Sequence, residues 1–244
     1  MARTRLDVAL VERGLAASRE QAQRLIRAGA VRVDDQLAHK PGQLVAPDAN
    51  VSVTAAERYV SRGGHKLEAA LRAFQVDCRG LVCADLGAST GGFTDCLLQH
   101  GAARVHAVDV GRGQLAWRLR QDARVVVHDE CNARYLTVEQ LGEAVDLVTV
   151  DVSFISLKKV LPAAHAILKP GGQVIALIKP QFEAGKKFVG RGGVVRDSAV
   201  QQQVVDEMTR WVESELGWTV RGVVESPLRG PAGNREFLLG AVRP

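Results

Sequence analysis

The stretch LVCADLGASTGGFTDCLLQHG, residues 81–101, decides the fold. It starts as an apolar run of strand type, passes through a loop rich in glycine, and continues as an apolar segment with helical spacing. Doubly wound parallel sheets bind nucleotide-like cofactors at such a strand–loop–helix unit. Glycines allow a backbone to approach a ligand closely, and a helix start offers N–H groups without intrahelical partners. The loop lacks Gly-x-Gly-x-x-Gly spacing, so the dinucleotide fingerprint is a poor match.

The chain beyond this stretch alternates between strand and helix patterns. Strands are predicted at ARVHAVDV, VVVHD, AVDLVTVD, GQVIALIKP, WTVRGVVESP and REFLLGAV, and helices at ISLKKVLPAAHAIL and SAVQQQVVDEMTRWVESELG. Strands that are almost continuously Val, Ile and Leu, joined by helices, indicate a parallel sheet covered on both faces. Together with the first strand, these segments predict a Rossmann-like α/β fold with seven strands.

The first 57 residues follow another pattern, with short elements and frequent turns. Helices are predicted in LDVALVERGL and REQAQRLIRAG, and strands in VRVDDQL and NVSVTA. Ser18 precedes the second helix and is its predicted N-cap. We therefore predict a small α+β domain over residues 1–57, a linker with a double glycine over 58–64, and the α/β domain over 65–244.

The amino-acid composition excludes several classes of protein. The chain has 244 residues, of which 46% are hydrophobic and 24% charged, as in globular proteins with a sizeable core. No window approaches the roughly 20 apolar residues of a membrane helix, and the first residues lack the apolar core of a secretory signal. The four cysteines form no Cys-x-x-Cys pair and no cluster with histidine at metal spacing. We therefore expect a cytoplasmic protein with reduced thiols, no metal site and no membrane contact.

Positive charge is concentrated in the first third of the chain. Residues 1–80 hold 13 Lys and Arg against 9 Asp and Glu, a net of +4, whereas 81–244 hold 19 against 18, a net of +1. A basic front end on a nearly neutral body indicates a polyanionic partner, in the first place nucleic acid. A solvated basic face without a partner is the alternative that charge alone leaves open.

Two acidic residues follow neighbouring predicted strands. Asp85 precedes the glycine loop, and Asp109 comes 24 residues later, at the end of the next strand. An acidic side chain in the second place can accept hydrogen bonds from both hydroxyls of an adenosine ribose. The alternative is a tight strand–helix turn in which glycine and aspartate have only a structural role.

Six blocks of sequence resemble one family. They are SRGGHKLEAAL at 61–71, DLGASTGGF at 85–93, TVDVSFISL at 149–157, LIKPQFEAGK at 177–186, GRGGVVRD at 190–197 and GNREFLL at 233–239. DLGASTGGF is similar to the S-adenosylmethionine loop of ribosomal RNA 2′-O-methyltransferases. Together the blocks resemble the TlyA family, whose members are often called haemolysins, across essentially the whole chain. The resemblance implies an FtsJ-like domain, its last strand antiparallel, that methylates a cytidine 2′-hydroxyl in ribosomal RNA or ribosomal subunits.

The resemblance also implies a catalytic tetrad, formed by Lys66, Asp151, Lys179 and Glu236. A lysine can accept a hydroxyl proton where a neighbouring cation or desolvation favours its neutral form. Lys179 is the expected base or proton-path residue and Lys66 its cationic neighbour, although which lysine takes the proton is left open. Glu236 lies at the start of the last predicted strand, so it reaches the same edge as Lys179 only if that strand is antiparallel.

The family pattern further assigns cofactor and RNA contacts. The implied cofactor site consists of Asp85, Gly87, Ala88, Ser89, Thr90, Gly91, Gly92, Phe93, Asp109, Val110, Asp129 and Asn132. SREQAQRLIRAGAVRVDD resembles the S-four-like RNA-binding module of a small-subunit ribosomal protein, which implies phosphate contacts by Arg3, Arg5, Arg19 and Lys40. Where that module has a glycine in its hairpin turn, this chain has Val33-Asp34-Asp35, so we expect a different hairpin tip.

Three other functions compete with ribose methylation. An RNA base N-methyltransferase would have Asp/Asn-Pro-Pro-aromatic where this chain has Asp151-Val152-Ser153-Phe154, and the missing prolines and the two lysines favour a hydroxyl acceptor. A membrane-lytic protein would need an amphipathic membrane helix, but the helix at 198–215 has mixed charge on its polar face and suits packing on a sheet. A non-catalytic RNA-binding protein would not need the intact tetrad.

Overall fold

A computed structural model describes residues 3–53 and 58–244. The chain divides into two units, Met1–Arg58 and Tyr59–Pro244. The N-terminal unit contains β1 (Thr4–Arg5), α1 (Leu6–Glu12), α2 (Arg19–Arg27), β2 (Val31–Val33), β3 (Gln36–Leu37), β4 (Leu44–Val45) and β5 (Val51–Val53). Strand β1 pairs with β4, and β2 lies between β3 and β5 in a second antiparallel sheet. The expected small α+β fold is therefore present.

Apolar residues of both helices form the core of this unit. Leu6 and Leu10 of α1 and Ile26 of α2 are completely buried and pack with Val31 of β2. The Ser18 hydroxyl accepts a hydrogen bond from the Gln21 N–H at 3.2 Å, which confirms the predicted N-cap of α2.

The β2–β3 hairpin keeps a two-residue turn despite its acidic tip. Asp34 and Asp35 have φ values of 49° and 63°, as a turn with two left-handed residues requires. The Asn50 N–H donates to Asp34 Oδ1 at 2.8 Å, and the Asp34 N–H donates to the Asn50 carbonyl at 2.8 Å. The expectation of an altered tip is therefore wrong, because aspartate tolerates this region and Asn50 braces the turn.

The second unit is built on one large sheet. Its helices are α3 (Gly63–Ala73), α4 (Gly92–Gln99), α5 (Trp117–Arg120), α6 (Val138–Leu141), α7 (Leu161–Ile167), α8 (Pro180–Glu183) and α9 (Ser198–Leu216). Its strands are β6 (Val82–Leu86), β7 (Arg104–Val108), β8 (Val125–His128), β9 (Val145–Val150), β10 (Leu168–Ile178), β11 (Thr219–Glu225) and β12 (Phe237–Val242). The strand order is β11-β12-β10-β9-β6-β7-β8, and β12 is antiparallel to both of its neighbours. The predicted seven-stranded Rossmann-like fold is confirmed.

Alternate residues of the central strands enter two cores, one on each face of the sheet. Val148 and Ile178 pack with α7 and α9, whereas Leu147 and Leu177 pack with α3 and α4. All four are at most 1% exposed. Burial on both faces explains why these strands are apolar at nearly every position.

The predicted linker 58–64 overlaps the second unit. Tyr59 is 1% exposed, and α3 begins at Gly63. A Cβ on Gly64 would lie 2.2 Å from Cγ of Tyr59. The boundary therefore lies earlier than expected, because a buried aromatic ring packs this stretch onto α3.

The helix predicted at 155–168 is also shorter than its pattern suggests. A 3₁₀ turn at Leu157–Lys159 precedes α7, which begins at Leu161. Pro162 lies in the first turn of α7, where its missing N–H has no cost, but it could not continue a helix from residue 155. The parallel strand β10 begins directly after α7, earlier than expected, with a register shift between Leu168 and Gln173.

Candidate active site

Two adjoining cavities open at the carboxyl edge of the parallel strands. The first has a volume of about 560 Å³ and extends toward the start of α3. The second has a volume of about 500 Å³ and extends toward the ends of β7 and β8. Gly87, Ser89, Asp151 and Ser153 line both cavities. The ends of β6 and β9 therefore form the junction between the two cavities.

The first cavity contains a buried ion pair between distant parts of the chain. Lys66 Nζ of α3 donates to Glu236 Oε2 at 2.6 Å. The Lys66 side chain is 10% exposed and that of Glu236 is 1% exposed. Glu236 precedes β12, whose antiparallel pairing sets Phe237 opposite Ile178. The strand direction required for Glu236 to join the predicted tetrad is therefore present.

A second ion pair lies in the same cavity. Lys179, directly after β10, contacts Asp151 Oδ1 through Nζ at 2.6 Å. The same ammonium group donates to Ser153 Oγ at 2.9 Å. The structure thus brings Lys66, Asp151, Lys179 and Glu236 into one cavity. Ser153 escaped the sequence analysis, although it follows Asp151 by two residues inside the block TVDVSFISL.

The glycine loop is shaped by packing as well as by access to a ligand. Gly87 has φ 87°, and a Cβ there would lie 2.6 Å from the Asp151 carbonyl oxygen. Gly91 has φ 98°, and a Cβ there would lie 2.3 Å from Leu119. Ala88, Thr90, Gly92 and Phe93 line the first cavity, together with Gly87 and Ser89. Gly91 lines neither cavity. It lets the loop pack closely against Leu115 and Leu119.

Asp85 lies beneath the loop and outside both cavities. Its carboxylate is completely buried and accepts hydrogen bonds from the hydroxyls of Thr94 at 2.7 Å and Thr149 at 3.0 Å. Burial raises the pKa of Asp85 to about 7. The structure does not bring the expected cofactor ligand Asp85 to the cavity wall, because its side chain points into the core and ties β6 to β9 and α4.

Asp109 holds the glycine loop against the end of β7. Its Oδ2 accepts from the Ser89 N–H at 2.8 Å, and its Oδ1 accepts from the Gly111 N–H at 2.7 Å. Val110 beside it is 67% exposed. Both Asp109 and Val110 line the second cavity, as the sequence predicts for an adenosine site.

The segment after β8 reaches the second cavity through one of its two expected residues. Asp129 forms an ion pair with Arg120 at 2.6 Å and lies outside both cavities. The Arg120 guanidinium holds the pKa of Asp129 below its usual range. Asn132, the other expected residue, lines the cavity together with Cys131. The expected role of Asp129 at the cofactor is not supported, because Arg120 draws its side chain away.

Further cavity residues escaped the sequence analysis. Gln114 and Phe154 line the second cavity, and Arg62 and Arg229 line the first. Phe154 is 91% exposed at a φ of 63°, with its ring centroid 5.2 Å from that of Phe182. An aromatic side chain three residues beyond Asp151 was the available signal for Phe154, whereas no local pattern marks Arg229.

In the N-terminal unit, one buried carboxylate organises two of the predicted RNA contacts. Asp7 is 0% exposed. It accepts two hydrogen bonds from Arg5 at 3.0 Å, one from Arg19 at 3.1 Å and one from Gln23 at 2.9 Å. The bidentate Arg5 guanidinium, with help from Gln23 and Arg19, holds the pKa of Asp7 well below its usual range. The other predicted contacts, Arg3 and Lys40, are exposed on this unit.

Residues 3–53 and 58–244 contain neither a cluster of metal-ligating side chains nor a helix that could span a membrane. In these segments no three His, Cys, Asp or Glu side chains are placed to hold a metal ion. Over the same segments, no helix is both long enough and apolar enough to cross a bilayer.

Comparison with known families matches both units. Residues 59–243 match the FtsJ-like methyltransferase family, and residues 4–51 match the S4 domain. The first match covers most of the chain and coincides with the unit that contains both cavities.

Individual relatives cover nearly the whole chain. The 16S/23S rRNA (cytidine-2'-O)-methyltransferase TlyA of Mycobacterium tuberculosis is 52% identical over 97% of this chain and 89% of its own. A Bacillus subtilis protein named as an rRNA methyltransferase, YqxC, is 49% identical over 96% of this chain and 84% of its own. A solved structure named as a hemolysin, from Streptococcus thermophilus, is 43% identical with a TM-score of 0.76, and the match covers 100% of this chain and 89% of that one. The chain therefore belongs to the FtsJ-like methyltransferases and, within them, to the TlyA family.

Proposed function

We propose that this protein transfers a methyl group from S-adenosylmethionine to the 2′-hydroxyl of a cytidine in ribosomal RNA, in the cytoplasm. The observation that carries the proposal is the pair of ion pairs, Lys66–Glu236 and Lys179–Asp151, in a cavity that adjoins the glycine loop. We infer ribosomal RNA as the substrate and cytidine as the target nucleoside from the activity named for the M. tuberculosis relative.

The second cavity fits the adenosine end of the cofactor. Val110 offers an exposed apolar side chain for the adenine ring, and Asn132 offers an amide at the same wall. Each Asp109 oxygen accepts one backbone N–H, which leaves lone pairs for ribose hydroxyls. The first turn of α4, at Gly92 and Phe93, supplies N–H groups for the carboxylate of the methionine part.

Lys179 is the lysine at the reacting atoms. Its two partners, Asp151 and Ser153, line both cavities, whereas Glu236, the partner of Lys66, lines only the first. Bound S-adenosylmethionine supplies a methyl group activated by a positively charged sulfur. Lys179 therefore lies where a hydroxyl in the first cavity meets that methyl group.

The cofactor supplies the methyl group, and residues of this protein remove the proton from the 2′-hydroxyl. Lys179 Nζ in its neutral form accepts the 2′-hydroxyl proton, while Ser153 Oγ and Asp151 hold the amine in line. The Asp151 side chain is 24% exposed, which gives the proton a route to solvent. Lys66, fixed by Glu236, places a positive charge in the same cavity, where it orients the hydroxyl oxygen and stabilises developing negative charge.

The N-terminal unit supplies contacts to the RNA backbone. Arg5 and Arg19 have side chains that are 48% and 58% exposed, and both are held by Asp7. Arginines fixed in this way can bind phosphates with little loss of side-chain entropy. Such contacts position the RNA without reading its sequence, so selection of the nucleotide belongs to the cavities.

The identity of the methylated nucleoside tests the proposal. Ribosomal RNA and isolated ribosomal subunits are incubated with the protein and labelled S-adenosylmethionine, then digested to nucleosides for mass spectrometry. We expect 2′-O-methylcytidine, and we expect the linkage that follows it to resist alkaline cleavage, because that cleavage needs a free 2′-hydroxyl. A methylated base with a free ribose hydroxyl overturns the proposal in favour of base N-methylation. Absence of any methyl transfer favours a non-catalytic RNA-binding or membrane-lytic protein.

A further inference from the structure

Two arginines that have no part in the proposed proton transfer line the first cavity. Arg62 lies immediately before α3, and Arg229 lies in the connection between β11 and β12. Both side chains are exposed. Among the described residues, neither guanidinium has an acidic group within ion-pair distance, whereas both cavity lysines are paired. They are therefore cations available to a ligand.

The two arginines are connected across the cavity mouth. Arg62 Nη2 donates to the Arg229 carbonyl oxygen at 3.0 Å. Gly230, the next residue, closes a turn by donating to the Asn234 carbonyl at 2.9 Å. A Cβ on Gly230 would lie 2.4 Å from Glu236 Oε1, so this turn packs directly on the tetrad. The position of Arg229 is thereby set relative to Glu236.

The start of α3 lies just as close to the cofactor loop. A Cβ on Gly63 would lie 3.6 Å from Cδ1 of Phe93 and 3.8 Å from Cα of Gly92. Arg62 therefore extends from the rim near the glycine loop, and Arg229 from the rim near Glu236. The mouth of the cavity carries one guanidinium on each of these two segments.

The charge of this cavity is positive only because of the arginines. Its ionisable lining residues are Arg62, Lys66, Lys179, Arg229, Asp151 and Glu236, which sum to +2. The lysines and the acids cancel as two ion pairs on the cavity floor. The uncompensated charge belongs to the rim, so an anion is favoured there rather than at the tetrad.

We propose that Arg62 and Arg229 bind the phosphodiester group that adjoins the target ribose. This inference rests on the proposed function and names the contact that holds the acceptor in place. The 2′-hydroxyl and the 3′-phosphate are carried by neighbouring carbons of one ribose, so a hydroxyl at the cavity floor brings its phosphate to the rim. A guanidinium suits this role because it can donate two parallel hydrogen bonds to phosphate oxygens.

Arg229→Ala tests the proposal, with Arg221→Ala as the matched control. Arg221 is exposed on β11 and does not line the cavity, so its removal costs the same formal charge without the proposed contact. Arg229→Ala keeps the main-chain carbonyl that accepts a hydrogen bond from Arg62, so the turn is retained. The substrate is whichever ribosomal RNA or subunit yields 2′-O-methylcytidine with the unaltered protein.

We expect Arg229→Ala to raise KM for RNA roughly tenfold at low salt, with kcat and cofactor affinity nearly unchanged. The slope of log kcat/KM against log salt should fall by about one, and Arg229→Lys should recover part of the loss. Arg62→Ala should act in the same direction, and the double variant should lose more than either alone. The control should keep both the affinity and the salt slope of the unaltered protein.

An equal effect of Arg221→Ala and Arg229→Ala, or a loss that does not depend on salt, overturns the proposed phosphate contact. A lowered kcat with unchanged KM and salt slope also overturns it and assigns Arg229 to the support of Glu236. In each of these cases the unaltered protein still forms 2′-O-methylcytidine. Failure of the proposed function is therefore distinguished, because it would abolish that product before any variant is compared.

Discussion

The N-terminal unit and the methyltransferase unit arrange buried carboxylates in opposite ways. Asp7 is buried, and the arginines that surround it have side chains about half exposed. In the first cavity the lysines are themselves buried, with side chains 10% exposed. A cation held by a buried anion but left open to solvent can bind an outside phosphate. A buried lysine held by one carboxylate is shielded from bulk water, which suits the proton transfer proposed for its amine.

Removal of the Lys179 side chain should give the largest effect on methyl transfer. It tests whether the buried lysines act in the reaction while the exposed arginines act in RNA binding. Lys179→Ala should lower the rate of methyl transfer by on the order of a thousandfold or more, because the proton acceptor is lost. RNA and cofactor affinity should change little, since phosphate binding depends on exposed arginines. Single-turnover methyl transfer is measured beside filter binding and calorimetry on the same preparations. Lys158→Ala, at an exposed lysine, is the control. Near-normal turnover of Lys179→Ala would move the chemistry away from the tetrad.

Asp85 is a buried carboxylate that has no cationic partner within residues 3–53 and 58–244, so we expect it to make the stability of the protein depend on pH. Its pKa of about 7 in the folded protein lies above its unfolded value of about 3.9. The folded state therefore holds the proton more tightly, and the free energy of unfolding falls as pH rises between these values, by about 4 kcal/mol in total. Asp85→Asn stays neutral and should lack this loss.

The Asp85 prediction is measured by urea unfolding at pH 5 and pH 8. Tryptophan fluorescence reports on the right unit, because Trp117, Trp211 and Trp218 all lie in it. Relative to the unaltered protein, Asp85→Asn should gain about 2–3 kcal/mol of unfolding free energy from the lower to the higher pH. An equal difference at both values contradicts the prediction.

Asp109 tests whether a half-buried acceptor in the methyltransferase unit binds a ligand. Asp109→Ala should weaken S-adenosylmethionine binding by about 1.5–3 kcal/mol, because two charge-assisted acceptors for the ribose are lost. Part of this loss comes from the Ser89 and Gly111 N–H groups, which the carboxylate also holds. Calorimetry measures the affinity, and circular dichroism confirms the fold. Unchanged affinity in a folded variant removes Asp109 from the cofactor site.

The smallest effect is expected for a substitution of Asp7. This substitution tests whether the exposed arginines of the N-terminal unit differ in role from the buried lysines of the first cavity. Asp7→Asn keeps the shape but weakens the hold on Arg5 and Arg19, so RNA affinity should fall by a few-fold, on the order of 1 kcal/mol. The chemical rate at saturating RNA should stay unchanged. Filter binding at several salt concentrations gives the affinity, and Glu20→Gln, at an exposed side chain paired with Arg24, is the control. If the unaltered protein and Asp7→Asn bind RNA with equal affinity, the contacts of Asp7 with Arg5 and Arg19 have only a structural role.

Much of the fold followed from local patterns. The antiparallel β12 agrees with what the family resemblance implied. The seven strands of the second unit and the Ser18 cap of α2 agree with what local patterns predicted. Such features depend on periodicity and on turn residues within a short window, which the sequence displays directly. The linker prediction failed at Tyr59 because burial of that ring depends on α3, which a local pattern does not show.

By itself, the sequence determined which residues follow the strands at the carboxyl edge: the glycine loop, Asp109, Asp151 and Lys179. Only the tertiary structure decided which of these side chains face the cavities. Asp85, the penultimate residue of β6, points into the core. Asp129 points toward Arg120, although it follows β8 in the same way as Asp109 follows β7. The Lys66–Glu236 pair, 170 residues apart, depends on the packing of α3 and the register of β12. A strand end fixes the edge at which a side chain lies, but its partner and direction depend on elements distant in sequence.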